Sequence, residues 1–153
     1  MLALTRRGLL NLTVAGLGFV YGSGTVKLTT GESMSPTLNN LELIFIDVFS
    51  QVKAGDVVTL VTPEEDALVC KRIIGMGGDV LLSRSKGEII VPDGKCWVEG
   101  DNSNSLDSNS FGPVPLQNIL GCVKYSLGSS LRKIENRRSA FLLRESVQVS
   151  KEA

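Results

Sequence analysis

The stretch Leu68-Val69-Cys70-Lys71-Arg72-Ile73-Ile74-Gly75 places two cations inside a run of apolar residues. It is too short for a typical buried helix and is rich in β-branched residues. It is closed by Gly75-Met76-Gly77-Gly78-Asp79, a cluster of turn formers, so Ala67 to Ile74 reads as a strand. Strand residues two apart share a face. Lys71 therefore sits with Val69 and Ile73, and Arg72 with Cys70 and Ile74. An ammonium on an apolar face loses hydration, and its pKa falls. Lowering a lysine from about 10.4 to about 7–8 corresponds to a cost of roughly 3–5 kcal/mol for the charged form. The competing reading is a lysine that runs its stem along the apolar face and keeps its charge in water.

The segments on either side follow the same pattern of short β-like runs between turns. Leu43 to Phe49 is apolar with one acid, and Lys53-Ala54-Gly55-Asp56 is a turn before Val57 to Val61. Thr62 to Asp66 is a polar connection. Beyond Asp79 come Val80 to Leu82, Glu88 to Val91, Lys95 to Val98 and, after a polar interval, Ile119 to Leu127. Many short strands at this spacing predict an all-β barrel or sandwich.

Two polar segments have the chemistry to accompany the lysine. Gly31-Glu32-Ser33-Met34-Ser35-Pro36-Thr37-Leu38 sets Ser33 on a Gly- and Pro-marked turn just before a strand. A serine hydroxyl needs a base to become a nucleophile. The chain contains no histidine, which excludes a Ser-His-Asp triad and leaves Lys71 as the candidate base. The second segment is Gly100-Asp101-Asn102-Ser103-Asn104-Ser105-Leu106-Asp107-Ser108-Asn109-Ser110-Phe111-Gly112. Its short polar side chains suit a rigid loop with internal hydrogen bonds. A serine from it can orient the lysine amine, and Asp101 can pair with Arg72. The alternatives are an ordinary turn at Ser33 and a plain surface loop or cation loop at 100–112. The loop lacks a regular calcium-ligand spacing.

The chain has 153 residues, 42% of them hydrophobic and 21% charged, enough for one domain with a true core. Net charge is zero but unevenly spread. Residues 1–28 carry Arg6, Arg7 and Lys27 with no acid; 29–127 carry seven Lys/Arg against thirteen Asp/Glu; 128–153 carry six against three. No basic aromatic face speaks for nucleic acid. Gly8 to about Val26 is free of charge and close to the ~20 residues that span a bilayer. It reads as a membrane anchor, with a cleaved signal peptide or another targeting segment as alternatives. An anchor would keep Arg6 and Arg7 on the inner side. Domain organisation follows: 1–28 basic N-terminus and anchor, 29–127 the β domain, and 128–153 a basic tail, solvated or forming a short amphipathic helix. Cys70, Cys96 and Cys122 form no CxxC pair, and without histidine no zinc site is expected. One disulfide among them would leave one thiol; three thiols, at least some of them buried in strands, is the favoured reading.

Taken together, three segments resemble the type I signal peptidase family, which cuts leader peptides with a Ser/Lys dyad. Ser33-Met34-Ser35-Pro36-Thr37-Leu38 resembles its nucleophile box, and Lys71-Arg72-Ile73-Ile74-Gly75 its base box. Gly100-Asp101-Asn102 with Asp107-Ser108 resembles its third box, and the three stand in the family's order between about Gly31 and Leu127. Within the family, Leu106 to Val114 resembles the second catalytic subunit of the mitochondrial inner membrane peptidases. The short interval from Lys71 to Gly100 agrees, because it has no room for the extra β domain of larger bacterial members.

The resemblance implies a signal-peptidase-like β-barrel or sandwich with one N-terminal membrane-anchoring helix. It implies Ser33 as nucleophile, Lys71 as general base and Ser105 as the residue orienting Lys71, to within a residue or two in that loop. Arg72, Asp101 and Asp107 are implied to be supporting residues, with both acids near Arg72. Two positions depart from the family. Asn109 stands where many members carry an arginine paired with the acid at Asp107. Gly31 stands where some bacterial members place a serine that donates to the oxyanion. The implied protein is a membrane-bound serine endopeptidase that removes N-terminal leader peptides from precursor proteins and selects small side chains near the cut. It needs no metal or organic cofactor, contacts the lipid bilayer, and forms a hetero-oligomer with a second peptidase subunit. The implied location is the mitochondrial inner membrane, facing the intermembrane space, with a bacterial plasma membrane or plastid membrane as alternatives. The rival from another class is a non-catalytic β-barrel subunit that holds a partner peptidase at the membrane. A self-cleaving repressor-type Ser/Lys protease would need an N-terminal DNA-binding domain, which about 30 mostly apolar residues do not supply.

Overall fold

The computed structural model describes residues 20–21 and 24–144. Twelve strands appear among them: β1 (Val20–Tyr21), β2 (Gly24–Leu28), β3 (Leu43–Asp47), β4 (Val57–Val61), β5 (Leu68–Met76), β6 (Val80–Ser83), β7 (Gly87–Ile90), β8 (Lys95–Glu99), β9 (Val114–Pro115), β10 (Ile119–Leu127), β11 (Leu131–Lys133) and β12 (Leu142–Arg144). One helical turn, α1 (Ser108–Phe111), precedes β9. The predicted mainly-β class holds, and the seven strands expected between Leu43 and Leu127 all form, with ends shifted by no more than two residues. The barrel does not close. One sheet runs β1-β2-β3-β10-β4-β5-β8-β9, with β1 and β9 as edges and β11 paired to the end of β10. It curls into a half-barrel. A second, three-stranded sheet runs β12-β6-β7. The interval between β5 and β8 thus holds a single hairpin, β6–β7.

Sequence alternation places the core on both faces of β5. Lys71 pairs with Val58, and Val69 with Leu60. Val58, Leu60 and Ile73 belong to one buried cluster with Cys96, Val98, Val114 and Ile119, and Val69 packs against it. The opposite register positions, Val57 and Cys70, belong with Met34, Leu38, Ile44, Ile46 and Val123 in a second cluster. A third cluster, Ile74, Leu81, Val91 and Trp97, fastens the small sheet to the large one. Cys70, Cys96 and Cys122 are free thiols.

Both ends differ from expectation. The apolar run from Gly8 to Val26 is only partly described, and its last residues lie in β1 and β2, which form an antiparallel hairpin. Gly24–Leu28 then pairs along β3. Those residues are strand, and no helix among the described residues is long and apolar enough to cross a membrane. The rest of the expected anchor lies outside the described residues.

The expected solvated tail is a strap. β11 pairs with β10, β12 pairs with β6, and Ile134 packs against the second cluster. Arg132 holds Glu42 through both carboxylate oxygens at 2.7 and 2.8 Å. Asn136 donates to Asp56 Oδ1 at 2.8 Å. These partners are distant in sequence, so neither the tail's charge nor its apolar spacing announced them.

Leu60 has no solvent exposure, whereas Ile90 is 66% exposed. Leu60→Ala should lower the unfolding free energy by about 2–5 kcal/mol. Ile90→Ala should change it by no more than about 0.5 kcal/mol. Chemical denaturation of both variants checks the placement of the core.

Candidate active site

Ser33 lies on a turn fixed by its neighbours. Ser35 N–H donates to Glu32 O at 3.0 Å and Leu38 N–H to Met34 O at 2.9 Å. Met34 and Leu38 are buried in the second cluster, so the turn is pinned from below. Ser33 itself stays half-buried. Among the described residues neither its hydroxyl nor its backbone N–H makes a hydrogen bond with the protein. Gly31 has φ +88, where a side chain would be strained, and its N–H donates to Asn40 Oδ1 at 3.0 Å.

The 100–112 loop docks directly on this turn. Asn102 N–H donates to Ser33 O at 3.0 Å, and Asn102 Nδ2 to Glu32 O at 3.1 Å. Gly100 sits at the tightest point. A Cβ there would overlap Ser105 Oγ and Cβ on one side and the Ser33 carbonyl oxygen on the other. Glycine is therefore what lets the two serine-bearing segments meet.

Lys71 enters from the sheet. It is 3% exposed, as its position among Val58, Val69 and Ile73 requires. Its Nζ donates to Ser105 Oγ at 2.7 Å. The Ser105 hydroxyl in turn donates to Leu106 O at 3.3 Å, which leaves its lone pairs for the amine. Burial pushes the Lys71 pKa below the ordinary 10.5; the charge of Asp107, and then Cys70, opposes the shift without cancelling it. The arrangement thus brings together Lys71, Ser105 and, across Gly100, the Ser33 backbone. Lys71 Nζ bonds Ser105 and not Ser33 Oγ in this structure.

Arg72 points to the other face, as alternation predicts. Its Nε donates to Asp101 Oδ1 at 2.9 Å and its Nη2 to Asp101 Oδ2 at 2.7 Å, a two-pronged pair with both side chains about 5% exposed or less. Nη1 donates to Gly55 O at 2.7 Å and to Glu135 O at 3.3 Å, so the strap helps to satisfy it. Thr37 Oγ1 donates to Asp101 Oδ2, and Arg137 adds a second cation at 3.4 Å. Asp101 therefore ties together the serine turn, β5 and the strap. Burial would raise its pKa, but the hydrogen bonds from Arg72 and Thr37 and the charges of Arg72 and Arg137 hold it below 3.8.

Asp107 makes its bonds with groups other than Arg72. It caps α1, accepting from Asn109 N–H at 3.0 Å. Its Oδ2 accepts from Gly100 N–H at 3.2 Å and from Arg84 Nη2 at 3.3 Å. Arg84 also donates to Glu99 Oε2 at 2.9 Å. Asn109 Nδ2 bridges Asp107 Oδ1 and Glu99 Oε1 at 2.9 and 3.0 Å. The cation missing at position 109 is thus supplied by Arg84, from the β6–β7 turn. Sequence reasoning missed Arg84. Nothing local marks it, because its partners Glu99 and Asp107 lie 15 and 23 residues away.

This order of serine turn, buried lysine and capped loop on a half-barrel agrees with comparison to known proteins. The family described as "Signal peptidase, peptidase S26" matches over residues 6–86 and 80–127. The chain belongs to the S26 signal peptidase family. Among curated relatives, the mouse mitochondrial inner membrane protease subunit 1 is 35% identical over 125 residues, covering 74% of this chain and 75% of its own. The Schizosaccharomyces pombe subunit 1 is 41% identical over 102 residues, covering 60% and 65%. The mouse subunit 2 is 36% identical over 104 residues, covering 60% and 59%. This S26 chain is therefore similar to relatives named as either subunit.

Removing one partner of the buried Arg72–Asp101 pair strands the other charge. Asp101→Ala should destabilise this S26 domain by about 3–5 kcal/mol in denaturant unfolding at pH 7. A carboxylate with a depressed folded pKa contributes stability that is complete above its unfolded value near 3.8 and is lost as pH falls through the lower folded value. The gap between wild type and variant should therefore narrow at acid pH.

Proposed function

We propose that this S26 chain is a membrane-bound serine endopeptidase that removes N-terminal leader peptides from precursor proteins. The observation that carries the reading is the Lys71 amine, buried, depressed in pKa and held by Ser105 beside the Ser33 turn. In this reading neutral Lys71 Nζ takes the proton from Ser33 Oγ as the oxygen attacks the scissile carbonyl. The N–H that Nζ gives to Ser105 directs its lone pair away from that hydroxyl. A side-chain rotation of Lys71 or Ser33 closes their hydrogen bond when substrate fills the site, since it is not made in the free protein. The Ser33 N–H, which makes no hydrogen bond among the described residues, donates to the developing oxyanion. Lys71 passes its proton to the leaving amine, which departs as the new N-terminus and leaves an acyl-Ser33 ester. It then takes a proton from water, which attacks the ester, and the proton returns to Ser33 Oγ. Ser105 orients the amine. Asp101 with Arg72, and Asp107 with Arg84, hold the two segments that carry the serines.

The relatives' names support a mitochondrial inner membrane location and assembly with a second peptidase subunit. The catalytic domain faces the intermembrane space in this reading, and the N-terminal segment meets the bilayer. A leader-bearing precursor mixed with the full chain in detergent tests the assignment. Ser33→Ala and Lys71→Met should each lower cleavage by about 10⁴-fold or more. A scaffold subunit assayed with its partner would keep the partner's activity in both variants. Because neutral Lys71 is the active form, the rate should rise about tenfold per pH unit at low pH and level off before 10.5. A profile flat from about pH 5 to 9, with chemistry rate-limiting, contradicts the lysine base.

A further inference from the structure

Glu99, at the end of β8, and Asp107, the cap of α1, are buried carboxylates, 3% and 1% exposed. Both accept from Arg84 on the β6–β7 turn, whose Nη2 donates to Glu99 Oε2 at 2.9 Å and to Asp107 Oδ2 at 3.3 Å. Other groups also attach this turn to α1. Ser83 Oγ and the Arg84 N–H each donate to Asn109 Oδ1 at 3.0 Å, and Ser85 Oγ donates to Asn109 O at 3.0 Å. Asp107 is held in its turn by Asn109 N–H, Asn109 Nδ2 and Gly100 N–H. None of these bonds uses the guanidinium, so its distinctive contribution is a positive charge set between two negative ones.

That charge matters because Asp107 is felt at Lys71. Burial lowers the Lys71 pKa, and the Asp107 charge, followed by that of Cys70, opposes the fall. The Cys70 thiol is itself pushed up to about 11 by burial, so it is neutral at ordinary pH. β4, which pairs with β5 at Lys71, carries no ionisable residue. Asp101 is paired with Arg72 and Arg137, Glu99 is paired with Arg84, and Glu32 in the serine turn is exposed. A cation held on Asp107 offsets part of that carboxylate's potential at Lys71. Without the cation, the carboxylate would favour the ammonium form more strongly.

We propose, on the peptidase reading above, that Arg84 is a positioning residue for that reaction: its guanidinium offsets the Asp107 carboxylate and so keeps Lys71 in the neutral form that takes the Ser33 proton. Arg84 acts through Asp107 and not on the reacting atoms. The β6–β7 hairpin thereby helps to set the working pH range of the site, although it lies outside the three segments that carry the serines and the lysine.

Two readouts on the full chain in detergent test this. In precursor cleavage, Arg84→Gln should move the rising limb of the pH–rate profile to higher pH by about half a unit or more, which is about a threefold loss at any pH on the limb. The deficit should shrink as pH rises toward the plateau. Arg84→Lys, which keeps the charge, should leave the limb close to wild type. The second readout is the Lys71 Nζ titration by ¹⁵N NMR, which needs no catalysis. Its midpoint should rise in Arg84→Gln, and the rise should vanish when Asp107→Asn is added. Asp107→Asn alone, which retains a capping side chain, should lower the midpoint. A midpoint indifferent to Asp107→Asn overturns the proposal even where Arg84→Gln fails to fold, because the route through Asp107 is then absent. A uniform drop in rate across pH in Arg84→Gln, with the Lys71 midpoint unmoved, makes Arg84 merely structural and also overturns it. A midpoint that rises in Arg84→Gln while no precursor is cleaved by any form, wild type included, supports the tuning and rejects only the peptidase reading.

Discussion

The amine of Lys71, kept out of water by the sheet it grows from, is the constraint on which the rest of the site depends. Strand alternation sends it into the same cluster as Val58, Val69 and Ile73, where a full charge is disfavoured. A lysine there needs a polar contact at its tip, and the 100–112 loop supplies one in Ser105. For Ser105 to reach it, the loop must press against the Ser33 turn, and only a glycine at position 100 allows that approach. A buried amine, a hydroxyl bonded to it and a second hydroxyl that makes no hydrogen bond among the described residues thus follow from one packing arrangement.

Two ion networks keep that arrangement from relaxing. On one side Asp101 gathers Arg72, Thr37 and Arg137, joining β5, the serine turn and the C-terminal strap. On the other, Asp107 and Glu99 gather Arg84, Asn109 and the Gly100 N–H. Each buried carboxylate has several donors, which is the condition under which buried charge is tolerated. The Asp107 charge also limits how far Lys71 can fall. The Lys71 amine is therefore tuned by two opposing effects, with burial the stronger.

Much of the sheet was legible because its strands alternate and its turns carry Gly, Pro and Asp. The facing of Lys71 and Arg72 followed from period two alone. Ser33, Lys71 and Ser105 were legible as residue types suited to a chemistry and by likeness to a family. Their contact was not, because it depends on the close approach at Gly100. Three features were hidden for the same reason. Residues 24–28 are apolar and uncharged apart from Lys27, which suits a span or a strand equally, and only pairing with β3 separates the two. The strap at 131–144 has short, weakly patterned strands whose partners lie far back in the chain. Arg84 looks like an ordinary loop residue until the structure puts carboxylates around it.

The most direct test is the titration of the Lys71 side chain itself. In the full chain labelled with ¹⁵N-lysine and held in detergent, the Lys71 Nζ resonance is assigned by comparison with Lys71→Met and followed against pH. The account predicts that it loses its proton below the ordinary lysine value of 10.5, and that Ser105→Ala alters the midpoint. A Lys71 amine that titrates at or above 10.5, indifferent to Ser105, contradicts it.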